Sequence, residues 1–168
     1  MKLSRTTARY SLALLLLVSC IGCDQATKQL AVHTLQGSPP QSFLADTFRL
    51  EFALNPGGFL SIGSGLPDNV RQAIFIGFNA CMMLGLGGYL LLKRNLPWIL
   101  FTSILLILAG GIGNLIDRIG NDGLVIDFLN LGIGPIRTGV FNVADIAVTA
   151  GAIGIAWLSF FYPKHSAA

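Results

Sequence analysis

The chain has 168 residues, of which 53% are hydrophobic and 11% are charged, and its net charge is +3. Its mean hydropathy is +0.69. Soluble domains carry about 25% charged residues, so this composition excludes a soluble domain and predicts an integral membrane protein. The basic residues are scattered without interleaved aromatic residues, which argues against a nucleic-acid partner.

Four apolar segments are long enough to cross a membrane, because a transmembrane helix needs roughly 20 mostly apolar residues. They cover residues 10–32, 70–92, 96–116 and 141–162. We therefore expect a membrane all-α bundle of four transmembrane helices, with residues 1–168 forming a single integral membrane domain. Residues 35–67 are predicted to form a small periplasmic β-rich insertion between the first and second helices.

The first segment contains the sequence Leu-Val-Ser-Cys ending at Cys20, which has the form of a lipobox, the site at which a bacterial lipoprotein is lipidated and cut. Processing at Cys20 would leave Asp24 and Lys28 on a short stub, with no polar soluble domain to follow. We therefore expect the motif to be accidental. Asp24 and Lys28 lie four residues apart on one helix face and are expected to pair. Lys28 is expected to reach lipid headgroups, and Asp24 to accept hydrogen bonds from the turn at 55–58.

The insertion contains one strand pattern. Residues 48–54 alternate apolar and charged side chains between Gly and Pro clusters, which is typical of a short strand with one apolar face. We expect this small sheet to lie on the membrane surface beside the bundle, with residues 48–66 acting as a platform or lid. The alternative is a plain connecting loop.

The distribution of charge predicts the topology. Basic residues precede the first span, separate the second from the third and follow the fourth: Lys2, Arg5, Arg9, Lys93, Arg94 and Lys164. The positive-inside rule places these positions, and hence both termini, in the cytoplasm. All eight acidic residues then fall at the outer ends of spans or in the outer loops. Any chemistry is therefore expected on the outer side.

The third span combines small residues with polar ones. Gly110, Gly111 and Gly113 would let another helix approach closely. Helix packing does not explain the three polar residues that follow at helical spacing, which are Asn114, Asp117 and Arg118.

Two carboxylates at the outer end of the bundle carry the strongest chemical signal. Asp127 lies in an apolar run, where a lone ionised carboxylate is costly, and Asp145 lies near the start of the fourth span. Two carboxylates that share a proton supply one base and one acid, which can activate a water against an amide. Such a site needs no serine, cysteine or metal, and His33 and His165 lie too far away for a triad or a zinc site.

Several alternatives remain open from the residues alone. Asp127 and Asp145 could instead be ion-pair partners of Arg118 and Arg137, and Asp117 could also pair with either arginine. Buried carboxylates could form the proton or ion pathway of a small carrier or channel. The protein could also be an inactive scaffold. Asn142 shares a helix face with Asp145, and its amide could orient a carboxylate pair.

Five short motifs, in register with the four spans, resemble those of the bacterial lipoprotein signal peptidases, the type II signal peptidases. The motifs are D-Q-A-T-K at 24–28, N-P-G at 55–57, G-N-L-I-D-R at 113–118, G-L-V-I-D-F at 123–128 and F-N-V-A-D at 141–145. Members of that family are four-span aspartic proteases of the bacterial cytoplasmic (inner) membrane. The resemblance departs at 58–60, where the family usually has A-A-F and this chain has Gly-Phe-Leu. We expect this difference to affect the lid and substrate preference.

The resemblance implies an activity and roles for the polar residues. Asp127 and Asp145 would be the catalytic dyad, and the residues lining or supporting the site or the substrate would be Asp24, Lys28, Asn55, Gly57, Asn114, Asp117, Arg118 and Asn142. The substrate would be a prolipoprotein whose lipobox cysteine carries a diacylglyceryl group, cut just before that cysteine. The enzyme would use no cofactor or metal, contact membrane lipid, act as a monomer and be inhibited by cyclic peptides such as globomycin.

Overall fold

The computed structural model describes residues 5–57, 65–93 and 95–161. The elements follow the order α1 (Arg5–Leu35), β1 (Gln41–Phe43), β2 (Phe48–Asn55), α2 (Asp68–Gln72), a π-helical segment (Ala73–Phe78), α3 (Asn79–Leu92), α4 (Trp98–Gly120), β3 (Val125–Ile133), β4 (Ile136–Arg137) and α5 (Val143–Phe161). The departure at 58–60, the part of the proposed lid at 58–64, and the predicted topology markers Lys2, Arg94 and Lys164 lie outside the described residues.

Four helical stretches are long and apolar enough to cross a membrane, which confirms the predicted bundle. They are Thr7–Leu35, Asn69–Leu92, Trp98–Gly120 and Val143–Phe161. The second stretch joins α2, the π-helical segment and α3 into one continuous helix. The third continues about one turn beyond its predicted end, and so Asn114, Asp117 and Arg118 all lie on α4.

Close packing of the helices depends on glycine, as the third span predicts. A Cβ atom on Gly110 would overlap the carbonyl oxygen of Ala144 at the start of α5. A Cβ atom on Gly113 would lie 2.6 Å from an Oδ atom of Asp24 on α1. These two glycines let α1, α4 and α5 meet where the polar residues of α4 begin.

The sheet has four antiparallel strands in the order β1-β2-β3-β4, and only β1 and β2 lie between the first and second spans. The predicted insertion thus supplies β1 and β2, whereas β3 and β4 come from the segment between the third and fourth spans, for which the sequence pattern predicts no strand. Residues Val125 to Phe128 of β3 are all buried, at most 7% exposed. A half-exposed strand is recognised in a sequence by alternating apolar and polar residues, but a strand that is covered on both faces lacks this alternation. The sequence of β3 therefore does not mark it as a strand.

The sheet rests on the end of the bundle at which α1 ends and α5 begins. Phe128 of β3 packs against Ala31 and Leu35 at the end of α1. The pairing of β2 with β3 places Asp127 opposite Ala53, after a register shift between Leu50 and Ala53. Asp127 is therefore held on a buried strand directly above the helices.

Candidate active site

The N-terminus of α5 fixes the side chain of Asp145. Asn142 precedes the first turn, and its Oδ1 accepts a hydrogen bond from the Asp145 backbone N–H at 2.9 Å. In return, Asp145 Oδ2 accepts from the Asn142 backbone N–H at 3.2 Å. This reciprocal pair is a capping box, with asparagine and aspartate in the two capping positions. The backbone N–H of Ala144, also unsatisfied within the helix, donates to Asp24 Oδ1 at 2.8 Å.

Asn142 also bridges the two carboxylates. Because its Oδ1 accepts from a backbone N–H, its Nδ2 is free to donate, and it donates to Asp127 Oδ1 at 2.7 Å. The other oxygen of Asp127 accepts from Asn55 Nδ2 at 2.9 Å. Asn55 is oriented in the same way, because its Oδ1 accepts from the backbone N–H of Gly57 at 3.0 Å. Asp127 and Asp145 are therefore neighbours that both accept hydrogen bonds from Asn142, Asp127 from its side-chain amide and Asp145 from its backbone N–H.

Asn114 holds the second oxygen of Asp145. Its Nδ2 donates to Asp145 Oδ1 at 2.9 Å. Its Oδ1 accepts from Lys28 Nζ and from Asn142 Nδ2, each at 3.0 Å. Since an ammonium group has no acceptor atom, Lys28 confirms the orientation of the Asn114 amide. Both oxygens of Asp145 are thus engaged by N–H donors.

Lys28 forms the centre of a buried ion cluster. Its side chain is 0% exposed, and Nζ lies 2.8 Å from Asp24 Oδ2 and 2.9 Å from Asp117 Oδ2. With Asn114 as the third acceptor, all three ammonium protons have partners. The expectation that Lys28 reaches lipid headgroups is therefore wrong. Among the described residues, Asp24 likewise accepts from the start of α5 and from no group of the turn after β2.

Asp117 connects this cluster to the sheet. Its Oδ2 accepts from the backbone N–H of Ile126 at 3.0 Å, which ties β3 to α4 one residue before Asp127. Its ion-pair partner is Lys28, so the alternative that pairs it with Arg118 or Arg137 is wrong. Gln25 was missed as a site residue, although it stands inside the D-Q-A-T-K motif. Its Nε2 donates to Asp117 Oδ1 at 2.9 Å.

The two arginines near the carboxylates have other partners. Arg118 Nη2 donates to the carbonyl oxygen of Gly57 at 2.8 Å, and its guanidinium lies over the ring of Phe75 at 5.6 Å. Arg137 pairs with Asp46 in the turn between β1 and β2. Among the described side chains, neither arginine forms an ion pair with Asp127 or Asp145, so the alternative of a purely structural ion-pair role for these carboxylates is wrong.

Burial changes the acidity of Asp127. Its removal from solvent raises the pKa to about 7, and the charge of Asp145 contributes in the same direction. The hydrogen bonds from Asn55 and Asn142 oppose this shift without cancelling it. Near neutral pH the Asp127 carboxyl can therefore exist as either an acid or a base.

Both carboxylates open onto one cavity of about 610 Å³. Its polar end carries Asn55, Asn114 and Arg118 beside the two aspartates. The rest of the wall is mainly apolar, formed by Val125, Leu131, Val140, Phe141, Ile146 and Ile153. The site can therefore place an amide bond against two acids while apolar groups occupy the remaining volume.

Comparison with known proteins agrees with this arrangement. The family model described as "Signal peptidase (SPase) II" matches residues 16–161. The chain belongs to the signal peptidase II family. The resemblance seen in the sequence motifs is thereby confirmed, as is the prediction of an aspartic peptidase. Because the chain belongs to a peptidase family, the alternative of a small carrier or channel is not favoured.

Several lipoprotein signal peptidases are similar to this signal peptidase over most of its length. A lipoprotein signal peptidase of Xylella fastidiosa (strain M12) is 36% identical, over 91% of this chain and 90% of the relative. That of Desulforapulum autotrophicum is 34% identical, over 79% of this chain and 82% of the relative. A bacterial membrane enzyme solved by the in meso method at 2.3 Å resolution superposes with a TM-score of 0.75 and 25% identity, covering 94% of each chain.

Proposed function

We propose that Asp127 and Asp145 form the catalytic dyad that removes signal peptides from diacylglyceryl-modified prolipoproteins, cutting just before the lipidated cysteine. The observation that carries this proposal is the bridge through Asn142, which joins both carboxylates at the wall of one cavity. The other residues of the proposed site support the dyad through contacts already described: Asp24, Lys28, Asn55, Gly57, Asn114, Asp117, Arg118 and Asn142.

The proposed chemistry is hydrolysis of an amide by an activated water. Ionised Asp145 takes a proton from the water as its oxygen attacks the scissile carbonyl carbon. Asp127, whose pKa is raised by burial, donates its proton to the carbonyl oxygen. When the tetrahedral intermediate collapses, Asp145 donates the proton it took from water to the amine of the lipidated cysteine, and the C–N bond breaks. Asp127 regains its proton from the hydroxyl group that becomes the new carbonyl, so both aspartates return to their starting states. The aspartates are the only acids and bases that the reaction requires.

The membrane setting supports a lipidated substrate. The apolar wall of the cavity belongs partly to α5, a membrane-spanning helix, through Ile146 and Ile153. Acyl chains can therefore lie beside the bundle while the peptide reaches the dyad. We place the protein in the bacterial inner membrane as a single membrane domain and a monomer, with both termini cytoplasmic and the site periplasmic. A cyclic peptide such as globomycin would occupy the same cavity.

The proposal is tested by incubating purified protein with a precursor peptide whose lipobox cysteine carries a diacylglyceryl group. Mass spectrometry should detect a product that begins at the lipidated cysteine. A matched peptide with an unmodified cysteine is the control and should remain uncut. Cleavage at another bond, or equal cleavage of both peptides, would contradict the proposed specificity.

The acidity of Asp127 predicts the pH dependence of cleavage. As the pH rises through about 7, the value to which burial raises this pKa, Asp127 loses the proton it must donate. We therefore expect kcat/KM to fall above that pH, approaching about tenfold per pH unit.

Asp46 supplies the control for this profile, because hydrogen bonds from Arg49 hold its pKa well below the usual range. It stays ionised throughout the measured range, so Asp46→Asn should leave the alkaline limb in place. A wild-type rate that is flat from pH 6 to 9 would exclude Asp127 as the acid.

Two substitutions of Asn142 distinguish its contribution to stability from its contribution to catalysis. Asn142→Ala removes both the cap of α5 and the donor to Asp127, and we expect it to lower stability by about 1 kcal/mol and kcat by roughly 10²-fold. Asn142→Ser keeps a capping oxygen for the Asp145 backbone N–H but lacks the longer side chain with the amide Nδ2 that reaches Asp127. It should therefore retain most of the stability while losing a similar amount of kcat.

The two quantities are measured by thermal unfolding in detergent and by steady-state cleavage. Equal kcat for wild type and Asn142→Ser would show that the bridge to Asp127 does not contribute to catalysis.

A further inference from the structure

Arg137 lines the same cavity as Asp127 and Asp145, although no step of the proposed reaction uses it. It lies on β4, the edge strand that pairs with β3. Its Nε donates to Asn130 Oδ1, and its Nη1 donates to the carbonyl oxygen of Asp46 at 2.7 Å. Its Nη2 is buried and has no acceptor among the described residues. Buried donors are nearly always paired, so this nitrogen is an exception at the wall of a cavity.

The guanidinium contacts the turn between β1 and β2. Three successive non-glycine residues, Leu44, Ala45 and Asp46, have positive φ angles of 53°, 50° and 66°. Such a turn is unfavourable unless its surroundings stabilise it. The Asp46 side chain does so by accepting hydrogen bonds from Ser42 and Arg49. The position of Arg137 is therefore set before any ligand binds.

Charge balance indicates which ligand suits this nitrogen. The positive charge of Arg137 is already paired with Asp46, whose Oδ2 lies 3.4 Å from Nη1. A further anion would have to enter a largely apolar cavity that already contains two acidic groups. A neutral acceptor avoids this cost, and a carbonyl oxygen is the neutral acceptor that a guanidinium N–H binds well.

We propose that Arg137 is a substrate-binding residue whose Nη2 donates a hydrogen bond to a carbonyl oxygen of the substrate. The inference rests on the proposed function, because a diacylglyceryl-modified peptide offers two sources of such oxygens. One source is the peptide backbone around the cut bond, and the other is the pair of ester groups that join the acyl chains to glycerol. Arg137 thereby helps to place the lipidated cysteine beside the dyad.

The test compares wild type with Arg137→Met on two precursor peptides. One carries the natural diacylglyceryl diester and the other carries a dialkyl diether, which lacks both ester carbonyls. Loss of a hydrogen bond from a charged donor is expected to raise KM roughly tenfold while leaving kcat nearly unchanged. A rise for both peptides identifies a backbone carbonyl, whereas a rise for the diester alone identifies an ester carbonyl.

Asp46→Asn weakens the anchor of Arg137 but keeps the guanidinium and the backbone carbonyl that binds its Nη1, so it should raise KM by much less than Arg137→Met does. Should Arg137→Met fail to fold, Arg137→Lys keeps the charge beside Asp46, lacks the second terminal nitrogen and should raise KM in the same way. An unchanged KM in a folded Arg137 variant, or an equal rise in Asp46→Asn, overturns the inference. Absence of cleavage by wild type overturns the proposed function, and this inference with it.

Discussion

Asp127→Asn and Asp145→Asn are each expected to lower the rate of prolipoprotein cleavage by at least about 10³-fold, because neither variant can share a proton between two carboxylates. An amide at either position cannot act as the base, and it cannot transfer a proton and regain it in each cycle. Both substitutions keep the volume of the side chain. The fold should therefore persist, and the loss should appear in kcat.

Asp46→Asn makes the same chemical change at a carboxylate outside the cavity and should leave kcat close to wild type. The three variants are compared in one assay with the lipidated precursor, after thermal unfolding has shown that each is folded. Cleavage at more than a tenth of the wild-type rate by either dyad variant would refute the assignment of that aspartate.

Lys28→Met is expected to give the largest loss of stability, on the order of 3–5 kcal/mol, because it leaves Asp24 and Asp117 buried without a counter-charge. Lys28 is 0% exposed, and its ammonium contacts both carboxylates within 2.9 Å. The loss is measured as the change in free energy of unfolding in detergent. Cleavage should also weaken, since Lys28 donates to Asn114, which in turn donates to Asp145.

Two further variants test the reason for this loss. Arg49→Gln removes the positive partner of Asp46 from a solvent-exposed pair and should change stability little. A triple variant, Lys28→Met with Asp24→Asn and Asp117→Asn, removes every charge of the buried cluster and should recover part of the stability. If the triple variant were no more stable than Lys28→Met, unpaired charge would not be the cause.

The buried cluster also explains how a membrane helix can carry Asp24 and Lys28 without a large penalty. Isolated charges are costly away from water, but here each ammonium proton has an acceptor and the carboxylates accept further N–H donors. One of those donors is the backbone of Ala144 on α5. The same contacts that neutralise the charges therefore lock α1, α4 and α5 around the proposed dyad.

The sequence by itself determined the parts of this protein that depend on local composition. Apolar length specified the four spans, because only about 20 apolar residues can cover the membrane core. The glycines of α4 indicated close packing, and the short polar motifs identified the family. Asp127 and Asp145 stood out because acidic side chains are costly next to apolar segments.

Only the tertiary structure decided how these parts meet. The pairing of β2 with β3 joins Asn55 to Asp127 across the chain, and no local pattern marks it because β3 is buried on both faces. The four-residue spacing of Asp24 and Lys28 predicts an ion pair, but it would do so equally for a pair on an exposed helix surface and for a buried one. Their burial, and the bridge of Asn142 between two carboxylates, arise from long-range packing, which decides which polar groups lose water and which partners replace it.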